Sequence, residues 1–269
     1  MSNLDPDIQV ISQQLTAQVA RINSELEVAL LVSQYLTPAN PIQDVVFKAL
    51  ERLKAEQCLG DVDKSVEKLQ GLNFTGPKNG VAALRHSNLF NVVEDQEGIP
   101  ISLAVFYQAF FRRAKLQCSG INFPGHFLLQ LEDQLFDPLS CEVIDPSILP
   151  QILPGEVSVD AALQQVATPQ LIGMRMFNNI KALHLSQQNW LKALEVVDLQ
   201  EACCLDNQDF LATLCFERGD LWQKVGANQQ AAQAYEQCAN YCENPTLIGL
   251  KEQAQQLSED MRKTSETLH

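Results

Sequence analysis

The chain lacks the features that mark secreted and membrane proteins. Its longest apolar runs, such as Leu103 to Phe106, are far too short to span a bilayer. The first ten residues are polar and acidic, with neither a positively charged start nor an apolar stretch, so we expect no signal peptide. We therefore expect a cytoplasmic protein that does not contact a membrane.

Positive charge is scarce and is not clustered. The chain has 19 Lys and Arg residues against 33 Asp and Glu residues, which gives a net charge of −14 and a pI near 4.6. Such a surface repels the phosphate backbone of nucleic acids and the headgroups of anionic membranes. We expect no nucleic-acid partner.

Cysteine is present, but not in patterns that bind metals. The eight cysteines include no Cys-x-x-Cys pair, and Cys238 and Cys242, one helical turn apart, have no second pair of ligands. A glycine-rich phosphate loop, an HExxH motif and a Rossmann fingerprint are also absent. We expect no cofactor, no metal, and cysteines that act as small buried apolar residues in a reducing compartment.

The hydrophobic pattern of the first half predicts helices followed by a small sheet. Apolar residues recur every three or four residues from Asp7 to Leu36, and two further helices are predicted at 43–56 and 61–69, the second with Asp61 as its N-cap. Pro100 begins a strongly apolar helix that ends near Lys115 and that we expect to be buried. Short strands are predicted at 117–122, 126–131, 134–137 and, less clearly, 141–144.

Beyond Pro150 the pattern is helical almost to the end. The stretches 179–207 and 216–244 are alike, with Ala182 and Gly219 as equivalent small residues 37 positions apart. That spacing is close to the roughly 34 residues of a tetratricopeptide helix pair. The alternative is an ordinary helical bundle whose helix pairs only look similar.

Three short motifs stand in the chain order of a Cys-His-Asp acyl-transfer site. They are GIPISLA at 98–104, NFPGHF at 122–127 and FDP at 136–138. The first marks a helix start, the second carries His126 and the third carries Asp137. No cysteine occurs at the helix start, where the nucleophile of such a site should be.

These motifs resemble the transglutaminase-like core of the bacterial SirB family, whose members join that core to a tetratricopeptide-type tail. The resemblance extends from residue 40 to residue 245, and GIPISL and PGHFL are its specific parts. It implies that His126 is the base, that Asp137 orients it, and that the nucleophile position lies within Pro100 to Ser102. In active relatives the helix dipole and the imidazolium would lower the pKa of a thiol at that position.

The pattern and the resemblance together predict an α+β fold. We expect a papain- or transglutaminase-like core with a small antiparallel sheet, preceded by helices and followed by an all-α tetratricopeptide-like tail. The predicted boundaries are 1–40 for the N-terminal helical segment, 41–165 for the core and 166–269 for the tail.

Two functional hypotheses remain open. The first is a non-catalytic regulatory protein that binds a protein or peptide partner, with Asn122, Trp222 and Tyr235 as candidate binding residues and the oligomeric state left open. The second is a hydrolase or acyl-transferase that acts on amide or ester bonds through Ser102, His126 and Asp137. Ser102 is more typical of a helix-start residue that bonds its own backbone. We favour the first hypothesis.

Other residues near the motifs have weaker claims. Cys118 and Cys141 could supply a migrated nucleophile, but neither stands at a predicted helix start. A His126–Asp137 pair could also simply stabilise the hairpin on which we expect both residues. His86 lies in an irregular segment, and we interpret the acidic run at 94–97 as solvated surface.

Overall fold

The structure, a computed structural model, describes residues 24–152, 158–204 and 207–267. The contacts divide the described chain into two compact units, one that ends at Met176 and one that begins at Phe177. The part of the predicted first helix that precedes residue 24 lies outside the described residues. Within the described ranges no helix combines the length and the apolar character needed to cross a membrane.

The first unit contains a run of helices and then a sheet. Its helices are α1 (Glu25–Leu36), α2 (Ile42–Arg52), α3 (Val62–Gln70), α4 (Leu89–Asp95), α5 (Pro100–Arg113), α6 (Leu149–Ile152) and α7 (Val159–Leu163). Three short 3-10 helices lie between them, at Ala55–Cys58, Leu84–Ser87 and Pro146–Ile148. Asp61 caps the start of α3 as predicted, because its side chain accepts the N–H of Lys64.

The sheet has four antiparallel strands in sequential order. They are β1 (Cys118–Ile121), β2 (Leu128–Leu131), β3 (Gln134–Asp137) and β4 (Glu142–Ile144). Leu129 pairs with Phe136, and the β2–β3 turn passes through Glu132, whose φ is 52°. The four-stranded antiparallel sheet and the α+β fold class are therefore confirmed.

Helix α5 is the centre of the first unit. Most of its side chains are buried, as its apolar sequence predicts, and Pro100 begins it without loss of a hydrogen bond because a first-turn N–H has no partner within the helix. Phe111 and Tyr107 contact the ring of Phe136 on β3 edge to face, with ring centroids 5.4 and 6.0 Å apart. The helix and the sheet thus share one aromatic core.

Helix α1 packs in the same unit as α5. Glu25 at its start is buried and forms an ion pair with Arg112 near the end of α5, with a second contact of 2.7 Å between Arg112 Nη2 and Glu25 Oε1. Gln108 Nε2 donates to the same carboxylate at 3.2 Å. A buried carboxylate held by a guanidinium fixes the position of α1 against α5.

The second unit is helical throughout its described part. It contains the end of α8 (Pro169–Ser186), then α9 (Trp190–Cys203), α10 (Gln208–Val225), α11 (Asn228–Tyr241) and α12 (Ile248–Thr267), with a 3-10 turn at Pro245–Leu247. Buried polar groups join its first helices. Lys181 on α8 donates to Gln200 Oε1 on α9 at 2.7 Å and pairs with Glu217 on α10.

Gly219 allows α10 and α11 to approach closely. A Cβ placed at Gly219 would lie 2.4 Å from Cε1 of Tyr235, which is fully buried. Ala182, the predicted counterpart of Gly219, is exposed. When the ends of α8 and α10, Ser186 and Val225, are aligned, the counterpart of Gly219 is the buried Ile180.

Seven of the eight cysteines are buried, Cys204 is partly exposed, and all are free thiols. The prediction that they act as small apolar residues of the interior is thereby confirmed.

Substitution of Gly219 should destabilise the second unit. Gly219→Ala places a methyl group where the Tyr235 ring lies, and we expect the free energy of unfolding to fall by about 1–3 kcal/mol. The matched control is Gly249→Ala in α12, where nothing lies within 4 Å of the added Cβ and better helix propensity should add up to about 1 kcal/mol. Urea denaturation of both variants measures the difference, and equal effects would contradict the close-contact role of Gly219.

Candidate functional site

The predicted nucleophile position lies at the start of α5, where Ser102 is the third helical residue. Ser102 is fully buried. Its Oγ lies 2.7 Å from the carbonyl oxygen of His86 and 2.9 Å from that of Ile99, and it accepts the N–H of Ile99 at 3.1 Å. The single hydroxyl proton is held by backbone carbonyls, and a lone pair is occupied as well.

Gly98 closes the space around this hydroxyl. A Cβ at Gly98 would lie 2.9 Å from Ser102 Oγ and 2.9 Å from Cδ2 of Leu103. Only glycine lets the backbone pass so close to the helix start. The glycine of the GIPISLA motif therefore serves close packing around Ser102.

His126 lies in the turn that precedes β2. Gly125 has a φ of 76°, which reverses the chain, and the backbone N–H of His126 donates to the carbonyl of Phe123 at 3.1 Å. His126 is exposed to solvent. Its carbonyl oxygen accepts a hydrogen bond from Arg175 at 3.0 Å.

Asp137 lies at the end of β3 and shapes the next turn. Its Oδ1 accepts the N–H of Leu139 at 3.0 Å, and its Oδ2 accepts the N–H of Ser140 at 3.3 Å. This is the usual turn-forming use of an aspartate. Continuing the β2–β3 register places Asp137 opposite Leu128, two residues beyond His126.

Within the described part of the chain, no hydrogen bond or ion pair joins Ser102, His126 and Asp137 to one another. Each of the three instead makes local contacts of its own. The triad assignment stays a prediction from sequence, and the geometry gives it no support.

The two cysteines near the motifs are poor nucleophiles. Burial raises the pKa of Cys118 to about 12 and that of Cys141 to about 11. Since the thiolate is the reactive form, both thiols stay protonated near neutral pH. Neither cysteine belongs to a helix, so neither gains the stabilisation that a helix start gives to a thiolate.

The three candidate binding residues differ in how far a partner could reach them. Asn122 Oδ1 accepts a hydrogen bond of 2.6 Å from Arg175 Nη1. Trp222 is partly buried against the core of the second unit. Tyr235 is fully buried, and its hydroxyl donates to Asp220 Oδ1 at 2.7 Å, so its side chain belongs to the interior of the α10–α11 pair. Their binding roles stay predictions.

A charged cluster beside Ser102 escaped the sequence analysis. Glu97, which the acidic run suggested to be solvated, is buried and lies 2.7 Å from Lys78 Nζ and 3.6 Å from Nε2 of His86. His86 is also buried, and its Nδ1 accepts the N–H of Ala83 at 2.9 Å. The one feature of the sequence that could have identified Glu97 is its position directly before the GIPISLA motif.

The protonation of His86 follows from these contacts. Burial, reinforced by the neighbouring Arg85, lowers the pKa of His86, while Glu97 acts in the opposite direction. A proton on Nδ1 would break the bond from Ala83, and Arg85 Nε lies 3.2 Å from Nε2 with its N–H directed at the ring, so the contacts at the two nitrogens oppose the doubly protonated form of His86. The pKa of Glu97 is lowered chiefly by its hydrogen bonds from Lys78.

A family model for the transglutaminase-like superfamily matches residues 14–178, which is more than half of the chain. The chain belongs to the transglutaminase-like superfamily. The match covers α1 to α7 and all of the motifs at the start of α5 and in the sheet.

Relatives of similar sequence are bacterial proteins of the UPF0162 group. A UPF0162 protein of Xylella fastidiosa (strain 9a5c) is 32% identical over 142 residues, which are 48% of this chain and 50% of that protein. A UPF0162 protein of Vibrio cholerae serotype O1 is 27% identical over 206 residues, 72% of this chain and 74% of its own length. The chain thus spans about half the length of the first relative. No solved structure matches it at a significant level.

The transglutaminase-like core therefore contains a buried serine at the start of α5, an exposed histidine before β2 and an aspartate at the end of β3. Within the described residues no group of three or more histidine, cysteine, aspartate or glutamate side chains could hold a metal ion. The Ser102 hydroxyl joins the segment that contains His86 to the start of α5.

Removal of the Ser102 hydroxyl should cost stability. Ser102→Ala leaves the buried carbonyl of His86 and the N–H of Ile99 with one partner fewer, so we expect a loss of about 1–3 kcal/mol in the free energy of unfolding. The matched control is Ser186→Ala, since that exposed serine makes one bond to its own helix and should change stability by less than about 0.5 kcal/mol. Urea denaturation decides, and a neutral Ser102→Ala variant would refute the structural role.

The stability of the fold should fall in mildly acidic solution because of His86. Its pKa is lower in the folded than in the unfolded chain, so the unfolded state binds more protons as pH falls through about 6.5. The free energy of unfolding should therefore decrease between about pH 7 and about pH 5 and level off once both states are protonated.

The comparison that isolates this effect uses two variants. His86→Gln should make the pH dependence shallower, whereas Ser186→Ala, which removes no titratable group, should keep the pH dependence of the wild-type protein. His184, whose pKa burial also lowers, contributes in the same direction and cancels in the comparison. An unchanged slope in His86→Gln would contradict the assigned role of the ring.

Proposed function

We propose that the protein is a non-catalytic, cytoplasmic interaction protein of the SirB type, built on a transglutaminase-like core and a tetratricopeptide-like tail. The single observation that carries the proposal is the state of Ser102. Its hydroxyl is fully buried. It lies within hydrogen-bonding distance of two backbone carbonyl oxygens and accepts one backbone N–H. An acyl donor cannot reach that oxygen in the folded chain.

The surroundings of Ser102 support the same conclusion. Nucleophilic catalysis needs a base within hydrogen-bonding reach of the nucleophile and a group that orients the base. Ser102 Oγ donates to the backbone carbonyl of His86 and not to an imidazole. Both carboxylate oxygens of Asp137 accept backbone N–H groups of its own turn. The nearby thiols are buried and protonated.

The helical region supports a partner-binding role. Gly219 and Tyr235 pack as a small residue against a large one across adjacent helices, which is the contact expected within tetratricopeptide-type pairs. Helix-pair repeats present extended surfaces that bind peptides. With a net charge of −14, a protein or peptide partner is better suited to this chain than a nucleic acid.

The test compares activity and binding in the same set of proteins. Purified wild-type protein, Ser102→Ala and His126→Ala are exposed to a fluorophosphonate probe, which labels activated serines, and labelled peptides are identified by mass spectrometry. We expect no labelling at Ser102 because the probe cannot reach the hydroxyl. Labelling of Ser102 that disappears in His126→Ala would refute the proposal and establish a serine acyl-transfer enzyme.

The binding arm uses a partner peptide selected on an array and then synthesised. Titration calorimetry should give the same affinity for wild-type protein and Ser102→Ala, and at least about tenfold weaker binding for Trp222→Ala, a change of about 1.4 kcal/mol. Val225→Ala, which alters an exposed residue on the same helix, is the control and should bind as the wild type does. Loss of binding in Ser102→Ala alone would contradict the assignment of the partner to the helical region.

A further inference from the structure

We propose that Arg175, together with the turn at 122–126, forms a binding site for a single carboxylate group of a ligand. The site lies in the core unit and uses no residue of the second unit. It therefore goes beyond the partner-binding role proposed for the helical region, and it would hold even if that region bound nothing.

The first argument is the set of contacts around Arg175. Its Nη1 lies 2.6 Å from Asn122 Oδ1, 3.0 Å from the carbonyl oxygen of His126 and 3.4 Å from that of Phe123. The guanidinium carbon lies 5.5 Å from the centre of the Phe127 ring. One nitrogen of the guanidinium is thus occupied by neutral oxygens, and the group is held in one orientation.

The second argument is the lack of a counter-ion. Among the described residues, Arg175 has no aspartate or glutamate within ion-pair distance, although the chain carries 33 acidic residues. The other partly buried arginines are paired: Arg112 with Glu25, and Arg218 with Asp198 and Glu201. A guanidinium removed from water without an anion is costly, and a ligand carboxylate would remove that cost.

The shifts in pKa agree with this contrast. The hydrogen bond from Arg112 to Glu25 raises the pKa of Arg112, whereas burial lowers the pKa of Arg175. Arg175 nevertheless remains charged at neutral pH, because arginine titrates far above that range. A full positive charge therefore sits at the NFPGH turn with only dipoles and one ring to balance it.

The third argument decides the class of ligand. Nε and Nη2 of Arg175 make no hydrogen bond within the described chain, and two adjacent guanidinium N–H groups match the two oxygens of a planar carboxylate. A phosphate group carries more charge than one guanidinium can balance, and the chain is strongly acidic overall. A carboxylate, from a peptide C-terminus or from an acidic side chain, is the better fit.

Arg113 provides a matched control. It also lies over a phenylalanine ring, with its guanidinium carbon 5.6 Å from the centre of Phe47. It is exposed on α5, and water can solvate it. If any arginine over a ring attracted carboxylates, the two residues would respond alike.

The test is a nuclear magnetic resonance titration of the full chain. The Nε–Hε resonances of Arg175 and Arg113, assigned with Arg175→Gln and Arg113→Gln, are followed during addition of N-acetylglycinate, which carries a terminal carboxylate. The matched neutral probe is N-acetylglycinamide. We expect a saturable shift of the Arg175 resonance with the carboxylate only, and no saturable shift at Arg113.

Two further measurements distinguish the sources of the carboxylate and test whether the two adjacent N–H groups of the guanidinium, here called the fork, are needed. N-acetylaspartate amide presents a side-chain carboxylate, and its affinity relative to N-acetylglycinate identifies the preferred source. Arg175→Lys keeps the charge and loses the fork, so the backbone resonance of Phe127 should report at least about tenfold weaker binding of the carboxylate in that variant.

Three results would overturn the proposal. They are an equal response of Arg175 to N-acetylglycinamide, an equal response of Arg113 to N-acetylglycinate, or tighter binding of inorganic phosphate than of either carboxylate. If Arg175→Gln fails to fold, Arg175→Lys, which also lacks the Nε–Hε group of arginine, assigns the Arg175 resonance for the comparison within the wild-type protein.

Discussion

The buried hydroxyl of Ser102 is the contact on which the arrangement at the start of α5 depends. It joins the carbonyl of His86 to the backbone of Ile99, where the chain enters the helix. Gly98 is constrained by the same oxygen, and Glu97, one residue earlier, pairs with Lys78 and approaches His86. A single helix start therefore organises the irregular segment that precedes it.

The contacts of Ser102 are those of a structural hydroxyl. A catalytic nucleophile must be exposed and adjacent to a base, whereas a structural hydroxyl must be buried and satisfied. Ser102 meets the second set of requirements. His126 and Asp137 make separate local contacts, one in an exposed turn and the other in the β3–β4 connection.

The sequence predicted those parts of the fold that local pattern controls. The buried helix from Pro100, the β2–β3 hairpin and the cap at Asp61 all follow from hydrophobic period and turn chemistry. It did not predict the burial of Glu97, because an acidic run has the same composition whether it is solvated or paired. The equivalence of Ala182 and Gly219 was also wrong, because the ends of α8 and α10, at Ser186 and Val225, are 39 residues apart instead of 37.

The candidate site was predictable only as a set of motifs. Which atoms meet depends on tertiary contacts, and Arg175, far along the chain from His126, illustrates this because nothing in its local sequence links it to the NFPGH turn. Spacing between His126 and Asp137 suggested neighbouring strands, and the two do flank the β2–β3 hairpin. The side-chain contact between them could not be derived from spacing, because Asp137 has a competing partner in its own turn.

The most direct test of the central claim is amide hydrogen exchange at Ile99. Its N–H donates to Ser102 Oγ at 3.1 Å and also lies 3.3 Å from the carbonyl oxygen of His86, which the same hydroxyl holds in place, so we predict exchange that is slow in the wild-type protein and faster in Ser102→Ala. Exchange at Ile99 as fast as that of an unprotected amide in the wild-type protein would mean that the hydroxyl is open to solvent, and it would contradict the structural role of Ser102.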